Sequence, residues 1–217
     1  MPEDRAHPAG NGIVRSIGST QYETTWRAMQ AFTAARDDAA PDEIWLTEHP
    51  PIYTLGLAGR AQHLRVANGI PVLRVDRGGQ VTYHGPGQLV AYVLVDMRRR
   101  RFGVRALVRA LEGAVIDWLA SLGVPSHGRV DAPGVYVDAS SGEAKIAAVG
   151  LRVKNGCTYH GISVNIAMDL SPFDDIDPCG FPGMRVTQIA DLTTAPTISE
   201  AGASLAPLLF DRLARAR

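Results

Sequence analysis

The sequence predicts an α/β fold of the α+β type, a β-sheet flanked by helices. Three observations lead there. Short β-branched runs are separated by Pro, Gly or Asn, two stretches repeat apolar residues at helical spacing, and two strand-like runs meet at Asn155-Gly156. With 217 residues, 46% of them hydrophobic, the chain suits one core. Neither an internal repeat nor a second-domain linker interrupts it, so residues 1–217 read as a single domain.

Residues 1 to about 12 are dominated by Pro, Gly and charge and read as a flexible arm, followed by a short strand over 13–17. Thr20 offers an N-cap to a helix over 21–37, in which Tyr22, Trp26, Met29 and Phe32 recur at helical spacing until Pro41 stops the pattern. Residues 44–47, 52–55, 72–75 and 89–95 read as strands of one sheet. After the basic run 98–101, Val104, Leu107, Val108, Leu111, Val115, Trp118, Leu119 and Leu122 form an apolar stripe ending before Gly123, which is a helix made to cover that sheet.

Residues 130–138, 144–153 and 158–167 are strand-like. Asn-Gly at the centre of a two-residue turn pairs Lys154 with Cys157. Counting back pairs Leu151 with His160, Gly150 with Gly161, Val149 with Ile162, Ala147 with Val164 and Lys145 with Ile166. On that count Lys145 and His160 share an apolar face, while the two glycines leave a groove on the other; one β-bulge reverses the assignment. Residues 198–214 read as a closing helix.

Composition removes several classes of function. The 22 Lys plus Arg balance 22 Asp plus Glu, which takes away the long-range field of non-specific nucleic-acid or anionic-membrane binding. No stretch approaches the roughly 20 apolar residues of a membrane span, and MPEDRAHPAGNG lacks the charged start and apolar run of a signal peptide, so the expected location is the cytoplasm. Two cysteines without paired spacing imply reduced thiols and no zinc site. Only Lys145 and Lys154 among the 22 basic residues are Lys; a Lys kept in an Arg background supplies a titratable amine.

The densest chemical signal is the segment Arg77 to Gln88, with Gly78, Gly79, Gly85 and Gly87 around Arg77, Tyr83 and His84. Glycines let a backbone touch a ligand, and Tyr83 and His84 can hydrogen-bond a polar end group. The segment matches neither the phosphate loop nor the dinucleotide fingerprint, and a plain Gly-rich loop with a structural His84 is the other reading. Asp177-Pro178-Cys179-Gly180 sets a thiol at a turn whose backbone N–H groups could serve an oxyanion, against the alternative of a buried inert Cys. Lys145, beside Ala147, Val149 and Leu151, is a candidate base or a snorkelling strand-end residue. His160 is catalytic or a packed His; Lys154 and Cys157 fall in the hairpin turn and have no expected chemistry. The run 98–101, continued by Arg105 and Arg109 at helical spacing, is a solvated helix start or a dock for an acidic partner.

In order along the chain, GGQVTYHGPGQ (78–88), KIAAVGLRV (145–153), HGISVN (160–165) and DPCG (177–180) resemble the lipoyl(octanoyl) transferase family. The likeness extends from Glu48-His49-Pro50-Pro51 and Tyr53-Thr54-Leu55-Gly56 to about Gln188. It implies the mixed sheet of the biotin and lipoate protein ligases, and transfer of octanoyl from acyl carrier protein to a lysine of lipoyl domains. Those domains would belong to 2-oxoacid dehydrogenases and the glycine cleavage H protein. Cys179 is then the acyl-thioester nucleophile and Lys145 the group that lowers its pKa. The implied acyl-binding residues are Arg77, Gly78, Gly79, Gln80, Val81, Thr82, Tyr83 and His84, then Ala148, Val149 and Gly150, then Gly161, Ile162 and Ser163. No cofactor and no metal are expected. Two rival readings are an ATP-dependent lipoate or biotin protein ligase of the same fold, which needs no nucleophilic Cys, and a non-catalytic acyl or lipoyl-domain binding module.

Overall fold

The structure is a computed structural model that describes residues 5–9, 12–60, 63–64, 68–139, 142–177 and 183–216. The strands are β1 (Arg5–Ala9), β2 (Gly12–Ser19), β3 (Asp42–Glu48), β4 (Ile52–Leu55), β5 (Val72–Arg74), β6 (Val81–His84), β7 (Gln88–Leu94), β8 (His127–Gly128), β9 (Gly134–Ala139), β10 (Gly142–Lys154) and β11 (Cys157–Asn165). The α-helices are α1 (Tyr22–Ala35), α2 (Met97–Arg100), α3 (Val104–Ser121) and α4 (Ile198–Arg215). No helix among the described residues is long and apolar enough to cross a membrane.

Eight strands form the main sheet in the order β1-β2-β3-β7-β11-β10-β9-β8. Only β2 and β3 pair in parallel there, because α1 supplies the crossover that parallel neighbours need. The amphipathic stripe of α3 (Leu107, Leu111, Val115, Trp118) and that of α4 (Leu205, Leu209, Leu213) bury against Ile44, Leu89, Val93, Ile162 and Val164 on one face. Each such aliphatic side chain contributes roughly 1.5–3 kcal/mol on burial. On the opposite face Tyr22 and Met29 of α1 meet Trp45, Val90, Tyr92 and Tyr159.

Several expectations change. Strands β4 and β5 do not join the main sheet but form a second one, β5-β4-β6, whose third strand lies inside the segment that reads as a Gly-rich loop. Part of the expected arm is strand β1, antiparallel to β2. Thr20 does not cap α1: its hydroxyl bonds the hydroxyls of Thr25 and Thr47, and Gln21 sits at the cap position without a side-chain bond.

The β10–β11 register is as counted from Lys154–Cys157 back to Ala147–Val164. Asn155 and Gly156 both have positive φ (51° and 76°), as the favoured two-residue turn demands. Beyond Ala147 the count fails. Lys145 pairs with Tyr136 of β9, a bulge separates it from Ala147, and 185–187 take its other side through Lys145 N–H to Arg185 O (2.8 Å) and Thr187 N–H to Lys145 O (2.9 Å). The bulge turns Lys145 off the apolar face, and a left-handed His160 (φ 61°) does the same on β11. The two still share a face, but it is the groove face.

The basic run does start a helix, with Arg98, Arg99 and Arg101 exposed, but three of its members are also tied to the protein's own carboxylates. Asp96 caps α2 through the N–H groups of Arg98 and Arg99 and pairs with the Arg98 guanidinium at 3.1 Å. Asp42, 2% exposed, is ringed by Arg36, Arg99 (2.7 Å) and Arg100 (2.5 Å). A buried carboxylate requires such partners.

Candidate active site

A cleft of about 720 Å³, counting its open mouth, lies between the groove face of β7, β10 and β11 and the small sheet. Lys145, Ala148, Val149 and Gly150 come to it from β10, and Gly161, Ile162 and Ser163 from β11. Arg77, Gly79, Gln80, Val81, Thr82 and His84 come from the Gly-rich segment. Thirteen of the expected site residues therefore line one space. Gly78 and Tyr83 do not line it. The Gly78 N–H donates to Leu151 O at 2.8 Å and so ties its loop to β10, while Tyr83 packs on Tyr53 and Phe173. Cys179 lies outside the described residues.

Lys145 is 3% exposed. Its Nζ donates to Pro133 O at 3.1 Å and stands 5.1 Å from the centre of the Tyr136 ring. The segment 185–187 that holds its backbone follows Cys179 in the sequence. Before Cys179, Ile176 is fully buried and the Asp177 N–H donates to His63 O at 3.0 Å.

The glycine pair does not stand open as the sequence count suggests. A Cβ on Gly150 would meet Arg77 Cδ at 3.0 Å, and one on Gly161 would strike Ala91 O at 2.0 Å. Both glycines are needed for the protein's own chain to close up. Arg77 is 7% exposed, and its guanidinium donates to Thr54 O, Gln80 O and Gly78 O.

A buried polar cluster backs the cleft. The His49 Nδ1–H donates to Thr20 O (2.7 Å), which leaves Nε2 to accept from the Tyr92 hydroxyl (2.6 Å); burial pushes this ring down to about 4. His84 is driven down to about 3, chiefly by burial, with His49 nearby adding to it. Its Nδ1–H donates to Gln88 Oε1 (2.7 Å), Gln88 Nε2 donates to Asn165 Oδ1 (2.9 Å), and Asn165 Nδ2 donates to Thr187 O (2.9 Å). This chain of bonds links the Gly-rich segment to the strip that holds Lys145. Both rings are neutral at pH 7.

Asp76, which sequence reasoning passes over, is the other junction. It accepts from Trp26 Nε1 (2.8 Å), Gln30 Nε2 (3.3 Å), the Tyr159 hydroxyl and His160 Nε2 (3.0 Å). Burial pushes its carboxyl up, but the His160, Tyr159 and Trp26 bonds outweigh it and hold the group well below the usual carboxylate range. The only signal in the sequence is its place directly before Arg77. His160 is thus a packed His on Asp76 that also lines the cleft. Cys157 opens β11 directly after the turn and is buried, and burial pushes its thiol up.

Comparison with known proteins agrees with this architecture. Residues 21–207 match the family described as lipoyl protein ligase A/B catalytic domain. An octanoyltransferase of Thiobacillus denitrificans is 60% identical over 192 residues, covering 88% of this chain and 86% of the relative. One of Laribacter hongkongensis is 54% identical over 202 residues, covering 93% and 96%. Among solved structures, a bipartite lipoate protein ligase of Thermoplasma acidophilum aligns with a TM-score of 0.67 at 17% identity, covering 96% of this chain and 84% of that one. A biotin protein ligase of Aquifex aeolicus aligns with a TM-score of 0.57 at 12% identity, covering 92% and 69%. At these identities the two structures bear on the fold alone, and it is the fold that the sequence resemblance implies.

Proposed function

The chain belongs to the lipoyl protein ligase A/B catalytic-domain family, among its octanoyltransferases, and is an enzyme of octanoyl transfer; from that premise we propose that it takes octanoyl from acyl carrier protein onto Cys179 and passes it to a lysine of a lipoyl domain. One observation carries the reading. Among the described residues the cleft holds a single amine, that of Lys145, and the backbone of Lys145 is hydrogen-bonded to Arg185 and Thr187, six and eight residues after Cys179 in the sequence.

In the first half-reaction the Lys145 amine takes the Cys179 thiol proton, and the thiolate adds to the thioester carbonyl. The carrier sulfur leaves and takes the proton back from the Lys145 ammonium. In the second, the neutral acceptor amine attacks the Cys179 thioester and gives up a proton to Lys145, and Cys179 departs as thiolate. The thioester exchange is nearly balanced, and amide formation makes the second half downhill, so no ATP is required. The apolar walls of Val81, Val90 and Val186 accept the alkyl chain and exclude water from the thioester.

Transfer from octanoyl-carrier protein without ATP and Mg²⁺, with parallel double-reciprocal plots, is the expected result. Iodoacetamide near neutral pH should label Cys179 rapidly and spare Cys157, whose thiol is buried. ATP-dependent transfer of free octanoate alone would return the chain to ligase chemistry, and labelling of neither thiol would favour a non-catalytic module.

A further inference from the structure

The floor of the cleft changes from small to bulky along its length, and the change comes at a distance that matters for an acyl chain. Ala148 pairs with Ser163 and Gly150 with Gly161, so the trough along β10 and β11 has little more than backbone beneath it. Then Arg77 crosses Gly150, leaving only 3.0 Å between its Cδ and the place a Cβ would occupy. Its stem is fixed, because the guanidinium holds Thr54 O at 2.7 Å, Gln80 O at 2.8 Å and Gly78 O at 2.9 Å.

Lys145 Nζ marks the reactive end. A Cβ on Gly134 would lie 3.2 Å from it, and Gly134 is the cross-strand partner of Ala148. From that level to Gly150 is two residues, about 7 Å along the strand, with one strand spacing of about 5 Å across to the trough. The two together give roughly 8–9 Å. An extended alkyl chain of about 1.5 Å bonds advances roughly 1.25 Å per carbon, so an octanoyl group reaches roughly 9 Å and a decanoyl group roughly 2.5 Å more.

Building on the acyl-enzyme reading of Cys179, we propose that the Arg77 stem, lying across the Gly150–Gly161 pair, is the stop that makes octanoyl the longest chain the cleft holds extended. Longer chains must kink or displace a side chain whose polar end is bonded to three carbonyls. Shorter chains leave part of the trough unfilled. The selectivity is therefore steric at one end of the cleft, remote from the reacting carbonyl.

The test measures covalent acylation of the full-length enzyme by intact mass, using hexanoyl-, octanoyl-, decanoyl- and dodecanoyl-carrier protein. The wild type should acylate fastest with octanoyl and fall at least tenfold with decanoyl, since each overhanging methylene in a closed apolar site is worth about 10-fold or more. Gly150→Ala pushes the stem into the trough and should move the optimum to hexanoyl. Arg77→Ala should move it the other way, raising the decanoyl-to-octanoyl ratio, and so serves if the Gly150 variant does not fold. An unchanged ranking of chain lengths in a folded variant overturns the stop alone. Absence of any acyl-enzyme in the wild type overturns the acyl-enzyme reading and the stop with it.

Discussion

Asp76→Asn tests whether the Asp76 junction holds the Gly-rich segment in place. Four donors converge on this carboxylate, two on each oxygen: Trp26 and His160 on Oδ1, Gln30 and Tyr159 on Oδ2. The carboxamide keeps one acceptor oxygen and turns an NH₂ toward the other pair, so the Trp26 or the Gln30 bond goes whichever way it sits, and the bonds that remain lose their charge. Bonds to a charged group are worth about 1.5–3 kcal/mol each, and partial exposure of this side chain lets water recover some of that, so the loss is about 3 kcal/mol. At about 2–4 °C per kcal/mol for a chain of this size, Tm at pH 7 should fall by roughly 6–12 °C. A carboxyl held below its unfolded pKa stabilises the fold fully above about pH 4, and that stabilisation is lost as pH falls toward the folded value. The gap between wild type and variant should therefore be widest at neutral pH and narrow in acid. Thermal unfolding followed by circular dichroism from pH 7 to pH 3 measures it. A Tm change under about 2 °C at pH 7, or a gap that widens in acid, would refute the reasoning.

Lys145→Ala should lose most octanoyl transfer while keeping the circular dichroism spectrum, and Lys145→Arg should also fail, because a guanidinium does not release or take a proton at pH 7; a wild-type rate in the Arg variant would remove the proton-transfer role. Reversing Arg99 and Arg100 to Glu should lower stability by about 3–5 kcal/mol in urea, since both changes strip partners from buried Asp42, whereas an unchanged midpoint would return these arginines to a solvated surface. Gly161→Ala should fail to fold natively, because its Cβ meets the Ala91 carbonyl at 2.0 Å in the middle of the sheet; a soluble variant with wild-type Tm would contradict that register.

What can be read from sequence is local. Asn155-Gly156 sets the turn, and the turn sets eight residue pairs of the β10–β11 ladder. The α3 stripe is plain because its period is a property of one helix. The apolar runs of β4 and β5 give no hint of a second sheet, since alternation reports which face is buried and not which strand lies alongside. A local count puts Lys145 on the wrong face because the bulge after it is fixed by 185–187, some forty residues on. Asp42 sits far in sequence from Arg99 and Arg100, so two residues of a run that looks like free charge belong to the shell of one buried carboxylate. At the site, the motif residues can be named, but Asp76 and the Gln88–Asn165–Thr187 chain emerge only once four elements are brought together.

On the proposed route octanoyl resides on Cys179 between donor and acceptor. Intact-mass analysis of the enzyme after brief mixing with octanoyl-acyl carrier protein, followed by peptide mapping and then addition of a lipoyl domain, tests it most directly. The acyl-enzyme route gives one octanoyl group on the peptide bearing Cys179, none on Cys157, and its disappearance as the lipoyl domain gains the same mass. Transfer to the lipoyl domain with no octanoylated enzyme at any time, or an adduct that the lipoyl domain cannot discharge, would contradict it.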